Sequence, residues 1–321
     1  MKDFTKDELS KIYERMVLLR RFEEKVGQLY GMGLIGGFCH LYIGQEAVAV
    51  AIKEVMQKGD DVITSYRDHG IMLALDSCPK SIMAELLGKE TGCSKGKGGS
   101  MHMFDLENGF YGGHGIVGAQ VSIGTGLGFA HKYRGNNNVS VVMFGDGAAH
   151  QGQVYESFNM AKLWGLPVLY IIENNGYAMG TSIDRCSSIK DLYKRGESFN
   201  IPGKQVDGMD FFKMHEEMEK AVDYIRKNSS PFLLEVKTYR YRGHSMSDPA
   251  KYRAKEEVEE YKKNHEPLAV VKDVLLKKHS VSEEYLKNIE KAVKIKVNES
   301  ADFAKNSNEP DVSELYKNIY K

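Results

Sequence analysis

Asp146 stands between Gly145 and Gly147, and Asn175 closes the run Glu173-Asn174-Asn175 further along the same 321-residue chain. A carboxylate and an amide oxygen are both hard oxygen ligands. Magnesium typically takes few protein ligands and completes its octahedron with phosphate oxygens and water. The glycines beside Asp146 let backbone approach a phosphate closely, and a helix starting just beyond would favour negative charge. Taken alone, Gly-Asp-Gly reads as a tight turn and Asn174-Asn175-Gly176 as a second one, since these residue types populate turns. The distance between the two stretches argues for a shared site.

The elements that would position the pair are legible around them. Residues 139–144, Val-Ser-Val-Val-Met-Phe, form the kind of β-branched and aromatic run that is buried in a parallel sheet. Val154, Phe158 and Ala161 follow at helical spacing and put one apolar stripe against that sheet. Gly165 and Pro167 close the helix, and a second apolar strand covers 168–172. Strand, helix and strand of this length make a right-handed crossover unit. Parallel neighbours end on one edge of the sheet, so Asp146 and Asn175 are expected together there. Open α/β sheets bind their ligands at that edge.

Composition sets the outer limits. Forty-four Lys and Arg balance forty-four Asp and Glu, and a net charge of zero argues for neither nucleic acid nor an anionic membrane as partner. No apolar run approaches the roughly 20 residues of a spanning helix. Cys39, Cys78, Cys93 and Cys186 are scattered without a C-x-x-C, and read as reduced thiols of a cytoplasmic protein. The first ten residues, MKDFTKDELS, have no apolar core, which argues against a secretory signal or a transit peptide. The length suits one large α/β domain or two small ones. No internal repeat or low-complexity segment is visible.

Other stretches carry chemistry less openly. Thr5-x-x-Glu8 is a capping box opening a helix with Leu9, Ile12, Met16 and Leu19 on one face. Gly31, Gly33, Gly36 and Gly37 break the chain before Phe38-Cys39-His40-Leu41, where a lone His is most simply structural. A short strand over 61–64 leads into Tyr66-Arg67-Asp68, and an Arg at a strand exit can grip phosphate or pair with its neighbour Asp68. Residues 91–114 read as one long glycine-rich loop without the P-loop pattern. The helix over 120–133 carries Gly124, Gly126 and Gly128, which suits close helix packing better than a dinucleotide fingerprint. A strand over 231–238 delivers the chain into a polar loop, 239–249, expected to bury little and to be mobile. Ser280-x-x-Glu283 should cap a helix with Leu286, Ile289, Val293 and Val297 on one face, a docking helix of an oligomer.

Gly145-Asp146-Gly147, 26 residues, then Asn174-Asn175 resembles the thiamin diphosphate signature. The text FGDGAAHQGQVYESFNMAKLWGLPVLYIIENNGYAMGTS resembles the alpha subunit of the 2-oxo acid dehydrogenases, most closely the pyruvate type, and the resemblance runs from about Tyr13 to the C-terminus. It implies an α/β fold: a mostly parallel sheet with helices on both faces over 36–250, a helical N-terminal extension over 1–35 and another over 251–321, in one structural unit. It implies Mg²⁺ held by Asp146, Asn175 and the carbonyl of Tyr177, and a diphosphate held by Tyr66 and Arg67. Gly147, Ala148 and His244 would also touch the cofactor, with Gly115 and Val117 around the aminopyrimidine. By the same resemblance His40 and His244 sit at the reacting carbon, Phe38 and Arg240 face substrate, and Ser245 is the regulated serine of a phosphorylation loop. The second regulated serine of mitochondrial relatives is missing, since Ala250-Lys251 stands there.

The implied reaction is decarboxylation of pyruvate with transfer of the acetyl group to a lipoyl-bearing dihydrolipoyl acetyltransferase. Only one domain of the thiamin kind is visible, so the glutamate that activates the aminopyrimidine is expected on a beta subunit, in an α2β2 heterotetramer. Phe38-Cys39-His40 with Gln45-Glu46 looks closer to the pyruvate type than to the acetoin or branched-chain enzymes. A non-enzymatic module binding a nucleotide or phosphate ligand is the reading of a different class.

Overall fold

The computed structural model describes residues 2–320. Six strands pair in parallel throughout: β1 Asp61–Ser65, β2 Phe110–His114, β3 Ser140–Gly145, β4 Val168–Asn174, β5 Gly203–Asp207 and β6 Phe232–Lys237. Their spatial order is β2-β1-β3-β4-β6-β5. From β1 the chain first steps outward to β2 and then returns to β3 on the other side. The crevice where that direction reverses lies beyond the C-terminal ends of β1 and β3, the usual ligand position in such sheets.

Alternation along the strands explains why the runs are apolar throughout. Val141, Met143, Leu169 and Ile171 join one buried cluster, while Val142, Phe144, Tyr170 and Ile172 join the other. Helices Glu46–Val55 and Phe211–Asn228 cover the first face, and Ala119–Arg134 and Gly152–Leu163 cover the second. A parallel sheet buried on both faces needs both residue sets to be apolar. The crossover forms as read, with Gly145 in register with Glu173 across β3 and β4. Gly165, at φ +58°, ends its helix in the left-handed conformation that glycine tolerates.

Both terminal segments join the first cluster. Thr5 and Glu8 make the two hydrogen bonds of the capping box, and Leu9, Ile12, Met16 and Leu19 are all buried. The last long helix, Glu283–Asn306, packs Leu286, Val293 and Val297 against Pro79–Leu86 and Lys6–Gly31 of its own chain. Its cap is Ser282, whose hydroxyl accepts from the Tyr285 N–H; Ser280 instead sits in a turn at φ +51°. Among the described residues no helix is long and apolar enough to cross a membrane.

The stretch 91–114 is not one loop. It ends in strand β2, which two consecutive glycines hide from any β-propensity reading, after a short 3-10 turn at Leu106–Asn108. Its glycine-rich part is ordered by Glu85, a buried carboxylate from helix Pro79–Leu86. The amides of Ser94 and Gly96 donate to one oxygen at 2.8 Å each, and those of Gly98 and Gly99 to the other at 2.7 and 3.1 Å. These amides cradle an internal anion. Of the helical glycines, Gly124 and Gly128 admit side chains of the sheet where a Cβ would clash, 2.4 Å from Val142 and from Val168 respectively. Gly126 faces open space and has no such role.

Candidate active site

Every residue that the sequence nominates lines one cavity of about 870 Å³ at the C-terminal edge of the sheet. β1 delivers Tyr66 and Arg67, β3 delivers Asp146, Gly147 and Ala148, and β4 delivers Asn175 and Tyr177. The segment before helix Glu46–Val55 supplies Phe38 and His40. Gly115 and Val117 follow β2, while Arg240, His244 and Ser245 follow β6. A volume of this size fits an organic cofactor rather than a single ion.

On one side three oxygens gather. Asp146 is 3% exposed, and its Oδ2 has no hydrogen-bond partner. Burial pushes its carboxyl up to about 6, and the nearby Arg240 charge opposes that rise. Asn175 donates its Nδ2 to Gln45 at 3.3 Å, which turns Oδ1 toward the cavity. That Oδ1 and the carbonyl of Tyr177 accept from the same nitrogen, Arg240 Nη1, at 3.0 and 3.1 Å. Two neutral oxygens thus converge on one cationic point beside an unpartnered carboxylate oxygen. The donor set fits a magnesium that takes only part of its shell from protein. Among the described residues no group of three His, Cys, Asp or Glu gathers elsewhere to hold a metal. Gly147 is required for closeness: a Cβ there would lie 2.7 Å from that of Ala178, in the hairpin that presents the Tyr177 carbonyl.

On the other side the two histidines approach each other. The His40 ring lies 4.5 Å from the Tyr66 ring and 5.2 Å from that of His244, centroid to centroid. Tyr66 Oη is 3.4 Å from His244 Nε2. Burial and the Arg67 charge hold both imidazoles well below their ordinary range, His244 at about 4, so both are neutral near pH 7. Arg67 is itself buried and donates to the carbonyl of Leu41 and to that of His244. Through these two bonds it ties two backbone segments together rather than pairing with its neighbour Asp68. Asp68 turns away and accepts from the amide of Met103 at 3.4 Å.

The segment after β6 buries far more than its polar sequence suggests. Tyr239, Arg240, Tyr241 and Ser245 are all under one-tenth exposed. Backbone amides of Tyr241 and Met246 donate to Ile43 and Cys39, and Asp248 accepts from the amide of His244 at 2.6 Å. The expectation of a loop with little to bury is therefore corrected. Arg240 turns inward onto the carbonyls of Tyr177 and Met179, and Tyr239 donates to the Glu257 carboxylate at 2.7 Å, while Arg242 stays exposed.

Three cavity residues have site roles that the sequence does not assign. Gln45 orients Asn175. Glu173, at the end of β4, is 5% exposed and accepts a short hydrogen bond from the Tyr42 hydroxyl, with burial pushing its carboxyl up to about 7. Tyr252 lines the cavity and accepts from Arg240 Nη2 at 3.0 Å. Glu173 had a signal, an acidic residue ending an apolar strand at the ligand edge; Gln45 and Tyr252 had none beyond their distant partners.

Comparison with known proteins adds the family context. A family model described as "Dehydrogenase E1 component" matches residues 14–313. The chain is 62% identical to the pyruvate dehydrogenase E1 component subunit alpha of Rickettsia felis, over 98% of this chain and 97% of that protein. It is 61% identical to the protein of the same name from Rhizobium meliloti, over 99% and 91% respectively. Against the mitochondrial E1 alpha subunit of Dictyostelium discoideum the identity is 47%, over 98% of this chain and 83% of that protein.

Proposed function

The chain belongs to the dehydrogenase E1 component family, and from that premise we propose that it is the alpha subunit of a pyruvate dehydrogenase using thiamin diphosphate and Mg²⁺. The reaction is oxidative decarboxylation of pyruvate with transfer of the acetyl group to a lipoyl group on a dihydrolipoyl acetyltransferase. The cofactor, when bound, supplies the carbanion chemistry, and the protein supplies position and electrostatics.

Asp146, Asn175 and the Tyr177 carbonyl are the residues that would hold the metal. The observation that carries the reading is their convergence, an orphaned buried carboxylate oxygen beside two oxygens already sharing one cation. Tyr66, Gly147, Ala148 and His244 border the same space and would meet the diphosphate, while Gly115 and Val117 would meet the aminopyrimidine. Arg67 contributes chiefly by holding His244 in place. Neutral imidazoles at His40 and His244 can accept a proton or donate a hydrogen bond at the reacting atoms, the role suited to histidine near neutral pH. Phe38, at the mouth of the cavity, would limit water access to them. Ser245 lies inside the cavity wall, where a phosphate would change the local charge.

A beta subunit in an α2β2 assembly completes this reading, because the described residues form a single six-stranded sheet. Two experiments test it. Calorimetry should detect thiamin diphosphate binding that depends on Mg²⁺ in the assembled complex and disappears in Asp146→Ala; ATP should not substitute. Decarboxylation should be absent with the purified chain alone and appear on co-expression with a beta subunit, faster with pyruvate than with branched-chain oxo acids and faster than the cleavage of acetoin measured in parallel. Turnover by the partner-free chain would overturn the two-subunit reading, and preference for another substrate would overturn the pyruvate assignment.

A further inference from the structure

We propose that Arg240 is a built-in counter-cation of the metal position, holding the ligand oxygens in place until a metal displaces it. The inference rests on the metal site assigned above and goes beyond it, since the family resemblance gave Arg240 a substrate-steering part.

Arg240 is 2% exposed and among the largest fully buried side chains. A guanidinium has five N–H donors in a rigid fork. Four are used: Nη1 on Asn175 Oδ1 and the Tyr177 carbonyl, Nη2 on the Met179 carbonyl at 3.3 Å and the Tyr252 hydroxyl at 3.0 Å. The fifth, Nε–H, is buried without a partner. Both Nη groups are thus committed to protein oxygens around the metal position, and only Nε–H is left over.

The fork does what a metal would do at the same point. It gathers the Asn175 amide and the carbonyls of Tyr177 and Met179 around one positive charge, beside the unpartnered Oδ2 of Asp146. Magnesium binds oxygens at about 2.0–2.1 Å. A dication that close to Asn175 Oδ1 and Tyr177 O would face a guanidinium hydrogen-bonded to the same two oxygens. Like charges so near each other in a buried site repel strongly. The two cations therefore compete for the position.

Displacement is linked to the His244 segment by a chain of hydrogen bonds. Tyr252 donates to Asp248 Oδ2 at 2.8 Å, and that same oxygen accepts from the amide of His244. Arg253 holds the carbonyls of Arg240 and Arg242 at 2.6 Å each, so the backbone stays anchored while the guanidinium swings. Release of Nη2 from Tyr252 would thus be felt at Asp248 and at His244. Metal entry and the setting of the His244 segment become one event.

The test uses the complex of this chain with its beta subunit, freed of cofactor. Mn²⁺ binding is measured by calorimetry and by loss of the free-ion electron paramagnetic resonance signal, without thiamin diphosphate. Arg240→Gln should bind Mn²⁺ about tenfold more tightly than the parent, the effect of removing a competing charge of modest strength. Arg240→Lys, which keeps a charge but cannot bridge both oxygens, should fall between and serves if the Gln variant fails to assemble. In the parent, Mn²⁺ should raise amide exchange across 239–252; in Arg240→Gln that exchange should already be high and should not respond. Affinity equal to or weaker than the parent in correctly assembled variants would overturn the counter-cation. Asp146→Ala separates the two readings: if it binds Mn²⁺ like the parent, the metal site itself is misplaced. If it loses Mn²⁺ while Arg240→Gln stays at the parent value, only the counter-cation fails.

Discussion

Arg67 donates to the carbonyl oxygen of His244 at 2.7 Å across 177 positions of sequence. Its other Nη reaches the carbonyl of Leu41 at the same distance, next to His40. One buried fork therefore sets the spacing of the two imidazoles. Lysine keeps the charge but cannot span both carbonyls. Arg67→Lys should lower kcat by roughly 10- to 100-fold, the loss expected for one charged hydrogen bond of about 1.5–3 kcal/mol. Amide exchange over 242–248 should rise alongside. A lysine variant with parental kcat and exchange would show that the bridge does not govern the pair.

Glu85 should prove to be a stability residue of unusual weight for a side chain far from chemistry. Its replacement by Ala leaves four amides of the 94–99 segment without an acceptor, each costing about 1–3 kcal/mol if it stays buried. Relaxation toward water limits the total, and we expect a loss of roughly 3 kcal/mol or more in denaturant unfolding. Gln, which retains one carbonyl acceptor, should lose less. Parental stability in Glu85→Ala would mean the loop is held by its other contacts.

The depressed histidines make stability sensitive to acid. The unfolded chain protonates His244 near its ordinary value of 6.5, whereas the folded chain resists until about 4. Across that window the unfolded state binds more protons, so this residue's contribution falls as pH drops from about 6.5 toward 4. His40 is depressed as well and acts in the same direction. Asp68, Asp146 and Glu173, all raised by burial, gain protons when folded and act in the opposite direction. The informative quantity is therefore a difference. Between pH 7 and pH 5, the parent should lose more stability than His244→Gln; equal losses would place the pH sensitivity elsewhere.

Ser245 is 8% exposed, with its hydroxyl 3.0 Å from that of Ser247. A glutamate there adds a buried negative charge on the segment where Asp248 holds His244. Repulsion and desolvation both oppose the observed arrangement. Ser245→Glu should nearly eliminate overall activity of the assembled complex, while Ser245→Ala retains much of it. A fully active Glu variant would show that this segment tolerates charge and does not control the site.

How much of this was open to a reader of the sequence depends on distance along the chain. The β3–helix–β4 crossover was legible because periodicity and closing residues are local, and strand direction alone then brings Asp146 to Asn175. The capping box at Thr5 and Glu8 is local in the same sense. Strand β2 was not legible, because Gly112 and Gly113 have no β preference and the strand is set by pairing with β1, where Gly113 sits opposite Thr64. Nor was the order of the 94–99 segment, which depends on a carboxylate in the helix before it. The site residues could be named from motif and resemblance, but not their partners. An arginine's sequence neighbours do not say whether its fork will meet a phosphate, a backbone carbonyl or a side-chain amide. Arg67 and Arg240 meet carbonyl and amide oxygens contributed by segments 26 to 177 residues away. Residue types and short-range spacing specified the elements and the edge where chemistry occurs. Only the packed tertiary structure, in which buried donors must find whatever acceptors the fold brings near, decided what each charged group holds.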